Sequence, residues 1–215
     1  MVTIATPPLG EVLQRRAEGL VREAMADTRV VLVNGARQCG KSTLAAVVAR
    51  DSGAQWRSLD SATWRQAAIN DPTEFVAGSS ALVIDEVQRV PDLLLAIKES
   101  VDADPRPGRF LLTGSARLLG MKSVPDALPG RMETIELWPL SQGEIDKRPA
   151  ETFVDAAFAD GPDLSHTSSE TRAGYVSRLV RGGFPEAVAR PERRRQRFLD
   201  EYVSDLINRD VLQVA

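Results

Sequence analysis

One octapeptide limits the folds open to this chain more than any other stretch of it. GARQCGKS, Gly35 to Ser42, satisfies G-x-x-x-x-G-K-[ST] at every defined position. It follows VVLV (30–33), a β-branched apolar run that reads as a strand buried on both faces. It precedes STLAAVVAR, which continues as a helix to Arg50. A strand, a glycine-rich turn and a helix in that order make a phosphate cradle. The glycines permit backbone geometry that a side chain would block. Successive N–H groups turn inward as an anion nest, and the helix adds its positive N-terminal end. Gly35, Ala36, Arg37, Gln38, Cys39, Gly40, Lys41, Ser42 and Thr43 are therefore the candidate phosphate-binding residues. In this motif Lys41 reaches the β- and γ-phosphates, and the Ser42 hydroxyl ligates Mg²⁺.

Beyond the loop, apolar runs and helical patterns alternate. Leu9, Val12, Leu13, Ala17, Leu20, Val21, Ala24 and Met25 share one helical face, predicting a helix over 9–26. QWRSLD (55–60) reads as a second strand. Residues 61–77 read as helical with a break at Pro72, and ALVID (81–85) as a fully apolar strand. Pro91 suits the first turn of a helix reaching Val101. The turn DPRPG feeds a strand at RFLLT (109–113), and ETIEL (133–137) reads as an edge strand. This order predicts an α/β domain with a parallel sheet and helices on both faces. Composition shifts near residue 147. The expected organisation is a core over 1–147, a mobile connection over 148–172, and a helical lid over 173–215. The last part contains RGGFPEAV between two short helices, and a final apolar stripe from Phe198 to Ile207.

ALVIDE ends in Asp85-Glu86. An apolar strand ending in Asp downstream of a phosphate loop supplies the second Mg²⁺ contact. The adjacent Glu86 is then placed to polarise a water attacking the γ-phosphate. That pair favours hydrolysis over transfer to an acceptor, and no N-K-x-D guanine-reading motif is present. The next strand ends RFLLTGSAR, which brings Thr113 and Ser115 to the carboxyl edge of the sheet, where ligands of open α/β sheets bind. Either hydroxyl is a candidate reader of the γ-phosphate. Arg117 and Arg131 are candidates to sense phosphate, with an arginine from a neighbouring subunit of a homo-oligomer as the alternative.

Cys39 is the chain's one cysteine, so no internal disulfide forms, which fits a reducing compartment. Inside the loop it reads as a small packing residue, with thiol chemistry as the alternative. The N-terminus lacks a signal-peptide pattern. No apolar run approaches the ~18 residues of a membrane span. The expected location is cytoplasmic. The net charge of −3 gives no whole-molecule attraction to nucleic acid. Arg190, Arg193, Arg194, Arg195 and Arg197 form a local basic cluster that reads as a solvated helix face, with DNA contact as the alternative.

GARQCGKSTL, LVIDEVQRVPDLL, RFLLTGSA, LPGR, ELWPLSQGE and GGFPEA together resemble AAA-type P-loop ATPases of the additional-strand, catalytic-glutamate division. One bacterial and archaeal family of this type pairs an N-terminal AAA domain with a nuclease-like C-terminal domain. The resemblance spans residues 8–215. It implies a five-stranded sheet of order 5-1-4-3-2 followed by a small helical portion. It implies ATP and Mg²⁺ as ligands, slow ATP hydrolysis, and a chain that continues into a second domain. The alternative function is a nucleotide-gated switch or scaffold that controls a C-terminal effector domain or a DNA-associated partner, with hydrolysis only resetting it.

Overall fold

A computed structural model of the chain describes residues 12–78, 80–115, 128–148, 153–159 and 168–208. Arg117 and residues 9–11 of the expected first helix lie outside them. The chain divides into two compact units, one from Arg15 to Pro139 and one from Leu140 onward that also includes residues 12–14.

The first unit runs α1 (Ala17–Asp27), β1 (Val30–Gly35), α2 (Lys41–Ser52), β2 (Gln55–Ser58), α3 (Ala62–Asn70), α4 (Pro72–Val76), β3 (Leu82–Asp85), a 3₁₀ turn (Val87–Arg89), α5 (Leu93–Ala103), β4 (Phe110–Ser115) and β5 (Met132–Glu136). All strand pairings are parallel, in the order β2-β3-β4-β1-β5. This is the expected order read from the other edge. β1, β3 and β4 are buried along their whole length. Side-chain alternation therefore feeds two cores. Val30, Leu32, Ile84, Phe110 and Leu112 join Leu93, Leu94, Ile97 and Val101 of α5 on one face. Val31, Val33, Val83 and Leu111 join Val21 and Ala24 of α1 and Leu44, Ala45 and Val48 of α2 on the other.

Several boundaries follow local chemistry. Asp71 accepts from the Glu74 backbone N–H and Pro72 takes the first turn of α4, so the break falls where proline was expected to put it. Gly53 (φ 65°) closes α2 in the left-handed region that its missing Cβ allows. The first helix is shorter than expected. It starts at Ala17, residues 12–14 group with the second unit, and of the apolar positions read as one helical face Val21 and Ala24 are buried while Val12 and Leu20 are exposed.

The second unit holds α6 (Gln142–Ile145), α7 (Phe153–Phe158), α8 (Arg172–Arg181), α9 (Pro185–Val188) and α10 (Glu192–Leu206). Ser141 and Glu144 form a reciprocal capping box on α6. The Leu140 N–H donates to Gly183 O at 2.7 Å, and a Cβ on Gly183 would meet Leu140 O at 2.2 Å. That close approach explains a glycine in GGFPEA. Arg178 ties α8 to Asp146 and Glu170. In the final apolar stripe only Phe198 is buried, and Val203 and Ile207 are exposed. The basic cluster is partly internal. Arg190 pairs with Glu186 and lies 4.7 Å from the Phe198 ring centroid, while Arg195 donates to Ala187 O and Arg190 O. Arg193, Arg194 and Arg197 are exposed.

Candidate functional site

The carboxyl ends of β1, β3 and β4 meet at the start of α2. β1 delivers the loop by running two residues further than expected, through Asn34 and Gly35. A Cβ on Gly35 would lie 2.3 Å from Leu137 O, so only glycine fits against the chain leaving β5. Gln38 (φ 60°) and Gly40 (φ 101°) take left-handed backbone, which curls the loop back onto the N-terminus of α2. The first backbone N–H groups of a helix have no intrahelical acceptor and face outward from its end. The N-cap, Gly40, has no side chain to cap α2, so this helix end can receive an anion.

Around the loop, Arg37 and Gln38 are exposed, Ala36, Gly40, Ser42 and Thr43 are half-buried, and Cys39 and Lys41 are buried. The Lys41 ammonium donates to Ala36 O at 2.8 Å. Arg15 spans two carbonyls, Cys39 O at 2.8 Å and Trp138 O at 2.5 Å, and so stitches the loop to the segment after β5. The Cys39 thiol is fully enclosed. Burial raises its pKa, and the nearby Lys41 and Arg15 charges only partly oppose that. This is the environment of a packing cysteine rather than of an activated thiol.

Asp85 is the hub of the site. Its carboxylate accepts from Ser42 Oγ at 2.6 Å, Thr113 Oγ1 at 2.6 Å and Ser58 Oγ at 3.1 Å. Three elements, α2, β4 and β2, converge on it at the end of β3. Ser58 was not singled out in the sequence. Its register opposite Asp85 depends on the β2–β3 pairing, which no local pattern announces.

Glu86 leaves β3 in the left-handed region (φ 60°, ψ 46°). Its N–H donates to Thr113 Oγ1 at 3.0 Å, and its carboxylate accepts from the Gln88 side-chain amide. Burial raises its carboxyl pKa. Lys41 opposes that, Asp85 and Asp60 add to it, and the Gln88 hydrogen bond lowers it again. Gln88, also missed in the sequence, accepts from Ser115 N–H at 3.3 Å.

The two candidate hydroxyls of β4 separate. Thr113 is fully buried, donates to Asp85 and accepts from Glu86, so its hydroxyl is committed on both sides. It links the Asp85 carboxylate to the Glu86 backbone, so the hydroxyl of β4 still open to a phosphate oxygen is that of Ser115. Ser115 Oγ is buried without a hydrogen-bond partner, as is Asn34 Oδ1 at the end of β1. Buried polar atoms left open cost free energy, and a ligand that pairs with them recovers it.

Arg131 is not at the site. It precedes β5, its carbonyl accepts from Val30 N–H, and its guanidinium holds Asp102 at 2.5 and 3.0 Å. That is the amino-terminal edge of the sheet, a strand length (about 17 Å) from the loop.

The donor set fits a magnesium nucleotide. Ser42 and Asp85 offer hard oxygen ligands side by side, next to the N-terminus of α2 and a buried ammonium. Among the described residues no group of three or more His, Cys, Asp or Glu forms a metal cage. Mg²⁺ characteristically takes one or two protein ligands and completes its shell with phosphate and water.

A family model described as an AAA domain matches residues 27–146. Uncharacterised proteins of Mycobacterium tuberculosis and Mycobacterium bovis are each 30% identical over 207 residues, covering 94% of this chain. The chain spans 40% of the length of those relatives. Among solved structures, a Walker-type ATPase of Pyrococcus abyssi aligns with a TM-score of 0.56 at 12% identity, over 98% of this chain and 78% of that one. That likeness concerns the fold, a P-loop ATPase fold.

Proposed function

This chain belongs to the AAA-domain family, and from that premise we propose that it binds Mg-ATP at Gly35–Thr43 and hydrolyses it slowly to ADP and phosphate. One observation carries the reading. The Asp85 carboxylate gathers the Ser42, Thr113 and Ser58 hydroxyls beside the phosphate loop, with Glu86 next in the chain.

In this reading the loop N–H groups and Lys41 hold the phosphates. Lys41 exchanges the Ala36 carbonyl for phosphate oxygen. Ser42 and Asp85 hold Mg²⁺, which neutralises charge on the β- and γ-phosphates. The open Ser115 hydroxyl pairs with a γ-phosphate oxygen. Glu86 orients a water and takes its proton as the water oxygen bonds to the γ-phosphorus. The bond from that phosphorus to the β–γ bridging oxygen breaks, and its electrons leave with ADP. Catalysis is then mostly positioning and electrostatics. An arginine supplied by a second copy would add on the order of 10³–10⁵ in rate, and without it turnover stays slow.

Thermal unfolding of the parent and Lys41→Ala, with and without Mg-ATP, tests binding. Ligand at one hundred times its dissociation constant stabilises by about 2.7 kcal/mol. A rise in the parent that disappears in the variant supports the site, and no rise in either protein overturns it. Phosphate release then separates an enzyme from a binding module. Glu86→Gln is expected to bind Mg-ATP and to lose about 10²-fold or more in hydrolysis. A Glu86→Gln variant as fast as the parent removes Glu86 from that role.

A further inference from the structure

We infer that Gln88 is a positioning residue for hydrolysis, holding the Glu86 carboxylate against the carboxyl end of β4. The inference rests on reading Glu86 as the group that takes the proton of the attacking water.

The Gln88 side chain faces two partners that demand opposite ends of its amide. The Glu86 carboxylate can only accept, so it takes the Nε2–H. The Ser115 backbone N–H can only donate, so it takes Oε1 at 3.3 Å. Both demands agree, and the amide has one satisfied orientation. The 3₁₀ turn Val87–Arg89 makes this reach available. Val87 is anchored in the core and Arg89 makes an exposed ion pair with Asp60 at 2.6 Å, so Gln88 follows a buried residue in a short turn.

Glu86 is thereby tied to β4 twice. Its backbone N–H donates to Thr113 Oγ1, and its side chain reaches Ser115 through Gln88. Ser115 also carries the open hydroxyl expected to meet the γ-phosphate. The residue that meets the phosphate and the residue that activates the water are therefore braced on the same two positions of one strand. A carboxylate on its own short stem in left-handed backbone has rotamers that point elsewhere. The Gln88 amide selects one of them. Misplacing a reacting group by ~1 Å costs about a hundredfold in rate.

The test compares steady-state hydrolysis and ADP affinity in the parent, Gln88→Leu, Glu86→Gln and the double variant. Gln88→Leu leaves a branched side chain one bond shorter and removes both hydrogen bonds. The expected result is a kcat lowered roughly ten- to hundredfold, with KM and ADP affinity within about twofold of the parent. The double variant should hydrolyse no more slowly than Glu86→Gln alone, because Gln88 acts only through that carboxylate. A Gln88→Leu kcat equal to the parent's overturns the inference. So does a matching loss of ADP affinity, or a further slowing in the double variant, since either means that Gln88 holds the fold. If Glu86→Gln is impaired and Gln88→Leu is not, only this inference falls. If Glu86→Gln is as fast as the parent, or the parent does not hydrolyse ATP, the reading of Glu86 falls with it.

Discussion

The Ser42 hydroxyl donates to the Asp85 carboxylate at 2.6 Å, closing a link between residues 43 positions apart in sequence. The same carboxylate accepts from Thr113 and Ser58. Asp85→Ala removes the acceptor of three hydroxyls at once. Hydrogen bonds to a charged group contribute about 1.5–3 kcal/mol each, and reorientation of the hydroxyls recovers part of that. The nucleotide-free variant is expected to lose about 2 kcal/mol, a few degrees in Tm for a chain of this size. The rise in Tm with Mg-ATP should shrink to that seen with ATP and a chelator. An undiminished Mg²⁺-dependent rise would place the metal elsewhere.

Cys39 should stay unmodified by an exposed-thiol reagent in the native protein and react fully once the chain is unfolded. Its burial also sets a pH dependence. The folded thiol lies above its ordinary pKa. The stability tied to its proton is complete below the ordinary thiol value and is lost as pH rises through the raised one, because the unfolded chain ionises first. Tm measured from pH 7 to 10 should therefore fall more steeply in the parent than in Cys39→Ala. Parallel curves would contradict an enclosed thiol.

Gly35→Ala tests the closeness of the loop to the chain leaving β5. A methyl at that position meets the Leu137 carbonyl at 2.3 Å, and neither backbone can yield without disturbing the β1–β5 pairing. Overpacking of this kind costs about 1–3 kcal/mol. Urea denaturation should show that loss, and nucleotide affinity should fall with it. A variant with parental stability and affinity would show that Leu137 moves freely.

Arg131→Ala should leave hydrolysis within about twofold of the parent, because its guanidinium is held by Asp102 at the edge of the sheet far from the loop. The measurement is kcat across a range of protein concentration. A large loss that appears only at high concentration would make Arg131 a residue that completes the site of a second copy.

Much of this architecture was legible in the sequence. VVLV, LVI and FLL are apolar at consecutive positions, as a strand covered on both faces requires. The loop motif and the Asp85-Glu86 pair carry their chemistry in adjacent residues. What stayed hidden depends on partners distant in the chain. Ser58 is an ordinary serine until β2 pairs with β3 and sets it opposite Asp85. Gln88 is an ordinary turn residue until β4 brings the Ser115 amide to it. Thr113 and Ser115 looked equivalent, and only the hydrogen bonds around Asp85 separate them. Arg131 ends the motif LPGR and leads into a strand, but strand direction places it at the amino-terminal edge of the sheet.

The parallel pairing of β1 also governs how the chain must be made. Its two neighbours are β4 and β5, and the second ends ~100 residues after β1 begins. At ~5–20 residues synthesised per second, that gap corresponds to roughly 5–20 s on the ribosome. Until β4 is made, ~80 residues after β1, the apolar segment Val30–Val33 has neither edge covered, and its second edge waits for β5. Native contacts so far apart in sequence also make folding slow after release. The segment that builds the phosphate loop is thus the one most exposed to wrong pairing before the sheet closes, and the helices on either side of it, α1 and α2, are what the nascent chain has at hand to shield it.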